Sequence, residues 1–203
     1  MKKETLYKTL DKDGKESNGG RVWSLPQGDQ PGEWMPLITG KLTEKNGYRL
    51  RTQKQLPPRL DARIFIAEHN DYCYYTESAY IARQARLVRE LPWNVRIRRL
   101  FACDCAEDLL EWESADKRPR YAIETARKFA NGEASGRELK AAEWNAWDAA
   151  REAMESRAWY LAMAAQAAVR GNAGDAAQFV LDAVVEDRRQ RQVDRLFEIL
   201  GEA

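Results

Sequence analysis

The chain has little cysteine and no long hydrophobic run, and each shortage excludes a class of protein. Its three cysteines, Cys73, Cys103 and Cys105, form no even, spaced set of the kind that indicates a disulfide framework. The longest uncharged stretch, residues 158–169, is shorter than the roughly 18 residues that a transmembrane helix needs. The first residues lead directly into polar sequence rather than into a signal peptide. We therefore expect a protein of the reducing cytoplasm, without a membrane partner.

Sequence patterns typical of catalysis are missing as well. The chain has no His-x-Glu pair, no Gly-rich phosphate loop and no nucleophile beside an evident base. The single histidine, His69, follows a predicted strand, and an ordinary surface position is its favoured interpretation. We therefore expect no catalytic residues, no metal ion and no cofactor.

The composition is that of a folded protein whose two halves differ. Of its 203 residues, 44% are apolar and 32% are charged, and seven are tryptophan. Residues 1–100 hold 19 Lys and Arg against 12 Asp and Glu, whereas residues 101–203 hold 14 against 20. Six of the seven prolines lie in the first half, while the second is alanine-rich with helical periodicity. This change predicts two modules, residues 1–91 and 92–203, with a boundary near Leu91-Pro92.

Short β-strands separated by turn residues are predicted in residues 1–91. The candidate strands are TLYKTL (5–10), GRVWSL (20–25), PGEWMPLITGKL (31–42), NGYRLR (46–51) and ARIFIAEH (62–69). The segment YIARQARLVREL (80–91) also fits a helix, because Ile81, Ala85 and Val88 would share a face. A final strand is the favoured interpretation of this segment.

Residues 92–203 predict a bundle of four or five helices. The expected helices run from Pro92 through Trp112, from Pro119 to Asn131-Gly132, from Ser135 to Gly171, and from Asp175 to Gly201. Ser135 and Glu138 have the spacing of a capping box, and a break near Glu155-Ser156 is left open. The predicted fold class is therefore α+β, a small antiparallel β-rich module followed by a helical bundle.

The stretch LFACDCAEDLLEW, residues 100–112, places two cysteines on one predicted helix. At about 100° per residue, Cys105 lies on the apolar stripe with Phe101 and Leu109, whereas Cys103 lies about 160° away from it. Side chains on opposite sides of a helix cannot chelate one ion or form an intramolecular disulfide. We therefore predict that both cysteines pack rather than bind metal.

Asp104 and Asp108 lie one turn apart beside the same apolar stripe. Two carboxylates this close can share a proton or hold a cation. The favoured interpretation is a structural acidic pair, satisfied by Arg118, Arg120 or an arginine of a later helix.

Several groups of aromatic and charged residues are candidates for a binding surface. DYCYYTESAY places Tyr72, Tyr74 and Tyr75 in or beside a loop, although a strand with aromatics on both faces is equally compatible. The alanine-rich segment 141–169 carries four large aromatics that are predicted to fill the core, namely Trp144, Trp147, Trp159 and Tyr160. EDRRQRQVDRLF mixes both charge signs, which favours a solvated helix face over a nucleic-acid surface.

Three segments of the chain carry a resemblance to known proteins: PGEWMPLITGKL…NGYRL, ARLVREL.WN and RRLFACDCAEDLL…RPRYAIETARKFANGE. They resemble a group of bacterial and phage proteins that join a short β-rich module to an alanine-rich helical module. The helical part is also similar to immunity proteins of bacterial toxin systems. The resemblance covers about residues 20 to 140 and implies no established activity, so it assigns no functional residue. The chain has Arg49-Leu50-Arg51 where the pattern of that group has His-Leu-Cys.

The leading expectation is a non-enzymatic binding protein, encoded by a phage or mobile element, that inhibits or neutralises a protein partner. Because the first half is basic, the partner is expected to be acidic. The expected contact residues are Trp34, Tyr48, Arg49, Arg51, Tyr72, Tyr74 and Tyr75. The alternative is a nucleotide-binding or degenerate transferase-like enzyme, in which arginines grip a phosphate and tyrosines sandwich a base, using the same module and His69.

Overall fold

A computed structural model describes residues 4–16, 20–57, 60, 62–110, 116–153, 157–183 and 187–201. The chain divides into two compact units, Met1–Trp93 and Asn94–Ala203. The first, here called the β unit, contains the strands, and the second, the helical unit, contains the α-helices. This division of secondary structure confirms the predicted α+β class. None of the helices in the described ranges is long and apolar enough to span a membrane.

The β unit is built on one antiparallel sheet. Its strands are β1 (Leu6–Leu10), β2 (Tyr48–Leu50), β3 (Arg63–Tyr75) and β4 (Tyr80–Glu90). They pair in the order β1-β3-β4-β2. A bridge between Tyr7 and Arg51, with N–H···O distances of 2.7 and 2.8 Å, joins β1 to the residue after β2. The two strands at opposite ends of the order therefore meet, and the sheet is curved like part of a barrel.

β3 and β4 form a long hairpin, which confirms the strand interpretation of YIARQARLVREL. The tyrosine-rich segment 72–75 lies at the end of β3 rather than in a loop, and Tyr74 and Tyr75 pair with Ile81 and Tyr80 of β4. The pairing register shifts between Asn70 and Cys73. Such an irregularity bends the strand and changes the direction of its side chains.

Two predicted strands, GRVWSL and PGEWMPLITGKL, are extended segments outside the sheet. In the second, the N–H groups of Gly32, Met35 and Ile38 donate to the carbonyls of Leu87, Ala85 and Arg83 of β4. A bond at every third residue is the repeat of a polyproline II helix rather than of a strand. The physical reason is that Pro31 and Pro36 have no N–H to donate to a ladder.

The helical unit contains six α-helices in its described residues. They are α1 (Val95–Glu107), α2 (Arg118–Ala130), α3 (Gly136–Glu152), α4 (Arg157–Arg170), α5 (Ala173–Ala183) and α6 (Asp187–Leu200). The segment predicted as one helix from Ser135 to Gly171 forms α3 and α4, and the break left open near Glu155-Ser156 lies outside the described residues. The segment predicted as one final helix forms α5 and α6, so the described residues contain six helices where four or five were predicted. Trp112, the predicted end of the first helix, lies outside the described residues.

Helix starts follow local sequence signals. Asn94 caps α1, with its side-chain Oδ1 accepting from the N–H of Ile97 at 3.0 Å. Ser135 and Glu138 form the predicted capping box at α3, in which each side chain accepts from the other residue's N–H. These caps satisfy N–H groups that have no partner inside the helix.

Alanine forms most of the contact between α3 and α4. The buried residues of α3 are Ala142, Ala146, Ala149 and Ala150. Ala149 and Ala150 form a cluster with Ala162 of α4, against which Trp159 packs. Small side chains let two helix backbones approach closely. The fully buried positions of α3 are therefore all alanine, and the half-buried Leu139 lies on the same side of the helix.

Candidate functional site

Cys103 and Cys105 both lie inside the helical unit. The Cys103 thiol donates to the carbonyl of Ile123 on α2 across 3.7 Å, whereas Cys105 lies beside the cleft between α1 and α6. Burial raises the pKa of Cys103 to about 12 and the pKa of Cys105 well above its ordinary value. Since thiolates are the reactive and metal-binding form, both residues contribute packing. Within the described ranges, no three His, Cys, Asp or Glu side chains come together as a metal site.

Asp104 joins three helices through two guanidinium groups. Its Oδ1 accepts from Arg127 Nη2 of α2 at 2.5 Å, and its Oδ2 accepts from Arg195 Nε of α6 at 2.8 Å. The Asp104 side chain is only 12% exposed. Arg127 also binds Glu107 at 2.9 Å, and Arg195 binds Glu198 at 3.0 Å. The partners of Asp104 are thus arginines of later helices, and the arrangement ties α1 to α2 and α6.

Of the residues named with Asp104, Arg118 lies at a different junction, whereas Asp108 lies one turn further along at the end of α1. Arg118 binds Asp116 at 2.8 Å and also pairs with Glu152, so it holds the start of α2 to the end of α3. Asp108 ends α1, and its N–H donates to the carbonyl of Asp104 at 3.3 Å. Asp104 and Asp108 therefore occupy different positions: one is a junction between helices, and the other is a helix terminus.

A cleft of about 300 Å³ lies between α1 and α6, beside the Asp104 junction. Its lining residues are Phe101, Asp104, Cys105, Glu107, Asp108, Arg191, Gln192 and Arg195. Gln192 is buried and donates to the carbonyl of Ala177 at 3.4 Å, while its Oε1 has no hydrogen-bond partner in the part of the chain described. Carboxylates and guanidinium groups both line this cleft, so neither sign of charge dominates it.

Tyr48 belongs to the core of the β unit. It is 4% exposed, its hydroxyl donates to the carbonyl of Pro36 at 2.7 Å, and its ring meets Trp23 edge-on at 5.5 Å. Tyr48 therefore offers no surface to a protein partner and no free face to a base. This corrects the expectation that placed it among the contact residues.

Trp34 and Tyr74 are half-buried, although both were expected to be exposed. The guanidinium of Arg86 lies over the Trp34 ring at 4.6 Å. Tyr74 packs against a small cluster formed by Leu42, Ala79 and Ile81. Part of each aromatic surface is therefore already covered by the chain itself.

Arg49 and Arg51 are half-buried; Arg49 is the central residue of the short strand β2, and Arg51 directly follows the strand. Arg49 Nε donates to the carbonyl of Glu44 at 3.2 Å, and the Arg51 backbone forms the bridge to Tyr7. His69 is half-buried, with its Nε2 3.6 Å from the sulfur of Cys73. Arg49, Arg51 and His69 therefore belong to different parts of the sheet, in or beside β2 and in β3.

Tyr72 and Tyr75 are the exposed members of the predicted contact set. The Arg83 guanidinium lies 5.9 Å from the centre of the Tyr72 ring, and the Tyr75 ring meets that of Tyr80 edge-on at 5.2 Å. Both residues lie at the end of β3, where it turns into β4. The surface around Tyr72 and Tyr75 is therefore available to a partner.

Trp144 and Trp147 lie on the surface, at 60% and 44% exposure. The prediction that they fill the core was wrong, because the inward face of α3 is occupied by alanine. The helical spacing could have predicted this exposure, because Trp144 is about 160° from Ala146 around the helix and the two residues cannot both face the core. Trp159, by contrast, does pack, with its ring meeting Phe179 edge-on at 5.8 Å.

The two exposed tryptophans form one aromatic patch. Their ring centroids are 5.8 Å apart at an interplanar angle of 85°, which is a favourable edge-to-face arrangement. The guanidinium of Arg151 lies over the Trp147 ring at 5.4 Å and also binds Asp148 at 3.3 Å. Large exposed aromatic patches are typical of protein interaction sites.

Comparison with known proteins gives one match. A family model described as Imm-5 like putative immunity protein matches residues 96–199. The matched segment is about half of the chain and extends from the first turn of α1 to the last turn of α6. No curated protein and no solved structure matches the chain.

Proposed function

The chain belongs to the Imm-5 like putative immunity protein family, and from this premise we propose that it binds a protein toxin and neutralises it in a stoichiometric complex. The observation that carries the proposal is the family match over the whole helical unit. An immunity-type function implies a protein partner, and inhibition by binding requires an exposed surface that contacts it. The exposed tryptophans of α3 lie within the matched segment and support this mode of action.

A preorganised surface favours tight binding, because little conformational entropy is lost when the complex forms. Three helices of the matched unit are held together at Asp104, and the start of α2 is held to the end of α3 by Arg118. We infer that the helical unit presents its contact surface without rearrangement. The phage or mobile-element origin expected from the sequence stays a prediction.

A co-expression experiment tests the proposal. The probe is any toxin domain that the genes neighbouring the gene of this chain encode. We expect the chain to restore growth to a bacterial host that expresses this toxin, with an empty vector as the control. Continued killing by the toxin, in cells that contain the folded chain, would contradict the proposal.

Titration of the purified proteins separates inhibition by binding from enzymatic protection. A binding inhibitor abolishes toxin activity in proportion to its amount, with an end point at one equivalent. If much less than one equivalent of the chain abolishes toxin activity, each chain inactivates many toxin molecules, and this result would favour the enzyme alternative instead.

A further inference from the structure

We propose that one face of α3, here called the α3 stripe, is the docking surface for the toxin, and that the toxin surface it receives is acidic. The residues of the α3 stripe are Arg137, Lys140, Ala141, Trp144, Trp147, Asp148 and Arg151. The inference rests on the proposed function, because it names the contact surface and the chemistry of the same partner. It differs from the sequence-based expectation, which placed the contact on the β unit.

The residues of the α3 stripe share one side of the helix. At about 100° per residue, each lies within about 60° of Trp144 around the helix axis. From Arg137 to Arg151 the stripe extends about 21 Å at 1.5 Å per residue. This length suits one side of a standard protein–protein interface, which buries roughly 800 Å² per partner.

Trp144 and Trp147 lie near the middle of the stripe and supply its apolar anchor. Tryptophan is among the residues most enriched where binding energy is concentrated, particularly at the centre of an interface. Both rings leave large areas in contact with water, although the unit has a core of its own. Because the inward face of α3 is alanine, the two tryptophans are not needed to fill that core. Partner binding accounts for their exposure.

The charges of the stripe point to the partner's chemistry. Three carboxylates on or beside it pair with arginines of the helical unit: Glu143 with Arg170, Asp148 with Arg151, and Glu152 with Arg118. Glu138 accepts only from Ser135, which is uncharged, so it keeps its negative charge. For Arg137 and Lys140, both exposed, the described part of the chain offers no ion pair. Two cations without an ion pair therefore precede the tryptophans by one to two turns, against the single charge of Glu138, which leaves this end of the stripe net positive. An acidic surface complements them.

Binding of the catalytically inactivated toxin, measured by isothermal titration calorimetry, tests the assignment. We expect Trp144→Ala and Trp147→Ala each to weaken binding by roughly thirtyfold or more. The matched control is Tyr75→Ala, which removes an exposed aromatic from the β unit and is expected to bind like the wild type. Melting curves of all variants establish that each is folded, and since both tryptophans are exposed we expect little change.

Charge reversal tests the acidic partner separately. We expect Arg137→Glu and Lys140→Glu to weaken binding, and to make it less sensitive to salt than wild-type binding. Lys41→Glu is the matched control, because it reverses an exposed lysine of the β unit and should leave the affinity nearly unchanged. Unchanged affinity in both α3 variants would contradict an acidic partner.

The outcomes separate the two proposals. If the wild-type chain does not bind the toxin, the proposed function fails. If it binds while both tryptophan variants bind equally well, the function stands and the α3 stripe is overturned. Loss of binding in Tyr75→Ala alone would assign the contact to the β unit. Sedimentation of the wild-type chain alone should show a monomer, and a dimer that Trp144→Ala dissociates would assign the stripe to a second copy.

Discussion

Replacing Asp104 by Asn tests the junction of α1, α2 and α6. The substitution keeps the size of the side chain and removes its negative charge. Asp104 receives Arg127 at 2.5 Å and Arg195 at 2.8 Å, and it is 12% exposed. The amide of Asn retains one acceptor oxygen and turns an NH₂ group towards one of the two arginines. One charge-assisted hydrogen bond is therefore lost, and the other becomes weaker.

The expected loss follows from the partners that remain. A hydrogen bond to a charged group contributes about 1.5–3 kcal/mol net, less when the partner is exposed. Arg127 keeps Glu107 and Arg195 keeps Glu198, so neither guanidinium is left unpaired. We expect Asp104→Asn to lower the free energy of unfolding by about 2 kcal/mol, which corresponds to a fall of about 4–8 °C in Tm.

Thermal unfolding followed by circular dichroism, with urea titrations for the free energy, provides the measurement. Glu107→Gln is the matched control, because Glu107 binds only Arg127 among the arginines of the junction and its side chain is 43% exposed. An exposed pair of this kind contributes about 0.5 kcal/mol. If Asp104→Asn and Glu107→Gln melt within 1 °C of each other, the reasoning that Asp104 stabilises the helical unit is refuted.

Three further predictions concern other sites. Burial lowers the pKa of Lys8 from 10.5 to about 8 despite its contact with Glu16, so between these values the unfolded chain binds more protons than the folded one. Relative to Lys8→Met, the free energy of unfolding of the wild type should therefore rise across this window by up to about 3 kcal/mol in urea titrations. The comparison with Lys8→Met is needed because the raised thiol pKa values of Cys103 and Cys105 act in the opposite direction in both proteins. In the native protein, a thiol reagent should rapidly modify only the half-buried Cys73, and metal analysis should find less than one zinc ion per chain. Rapid modification of a second cysteine, or one metal ion per chain, would contradict the conclusion that Cys103 and Cys105 are packed in the core. Ser135→Ala should lower stability by about 1 kcal/mol through loss of the α3 cap, whereas an unchanged unfolding midpoint would show that the capping box contributes nothing.

Features set by neighbouring residues could be predicted from the sequence. The Ser135 capping box needs only two side chains one turn apart, and it forms as expected. The strand at residues 80–90 was favoured correctly. The polyproline-like segment 31–38 was missed, because its apolar pattern resembles that of a strand. The predicted strand included Pro36, although proline has no N–H to donate to a ladder.

The candidate surface could be predicted only in part, because periodicity shows which residues share a face but not which face is inward. On α3, either alanine or tryptophan could have packed against α4. The structure places alanine there and leaves Trp144 and Trp147 in water. In the β unit, a similar ambiguity put the buried Tyr48 among the contact residues. Long-range packing decides both cases, and it is not encoded in local spacing.

The alanine interface between α3 and α4 has a consequence for how recognition can evolve. Where large buried side chains of a helix contact its outward residues, a substitution of an outward residue disturbs the packing of the core. On α3 the fully buried positions carry single methyl groups, so outward side chains can be exchanged while the interior stays intact. Variation at Trp144, Trp147 and the nearby cations would then alter partner choice with little loss of stability. On such a helix, successive substitutions on one face can maintain binding to a partner whose own surface changes rapidly.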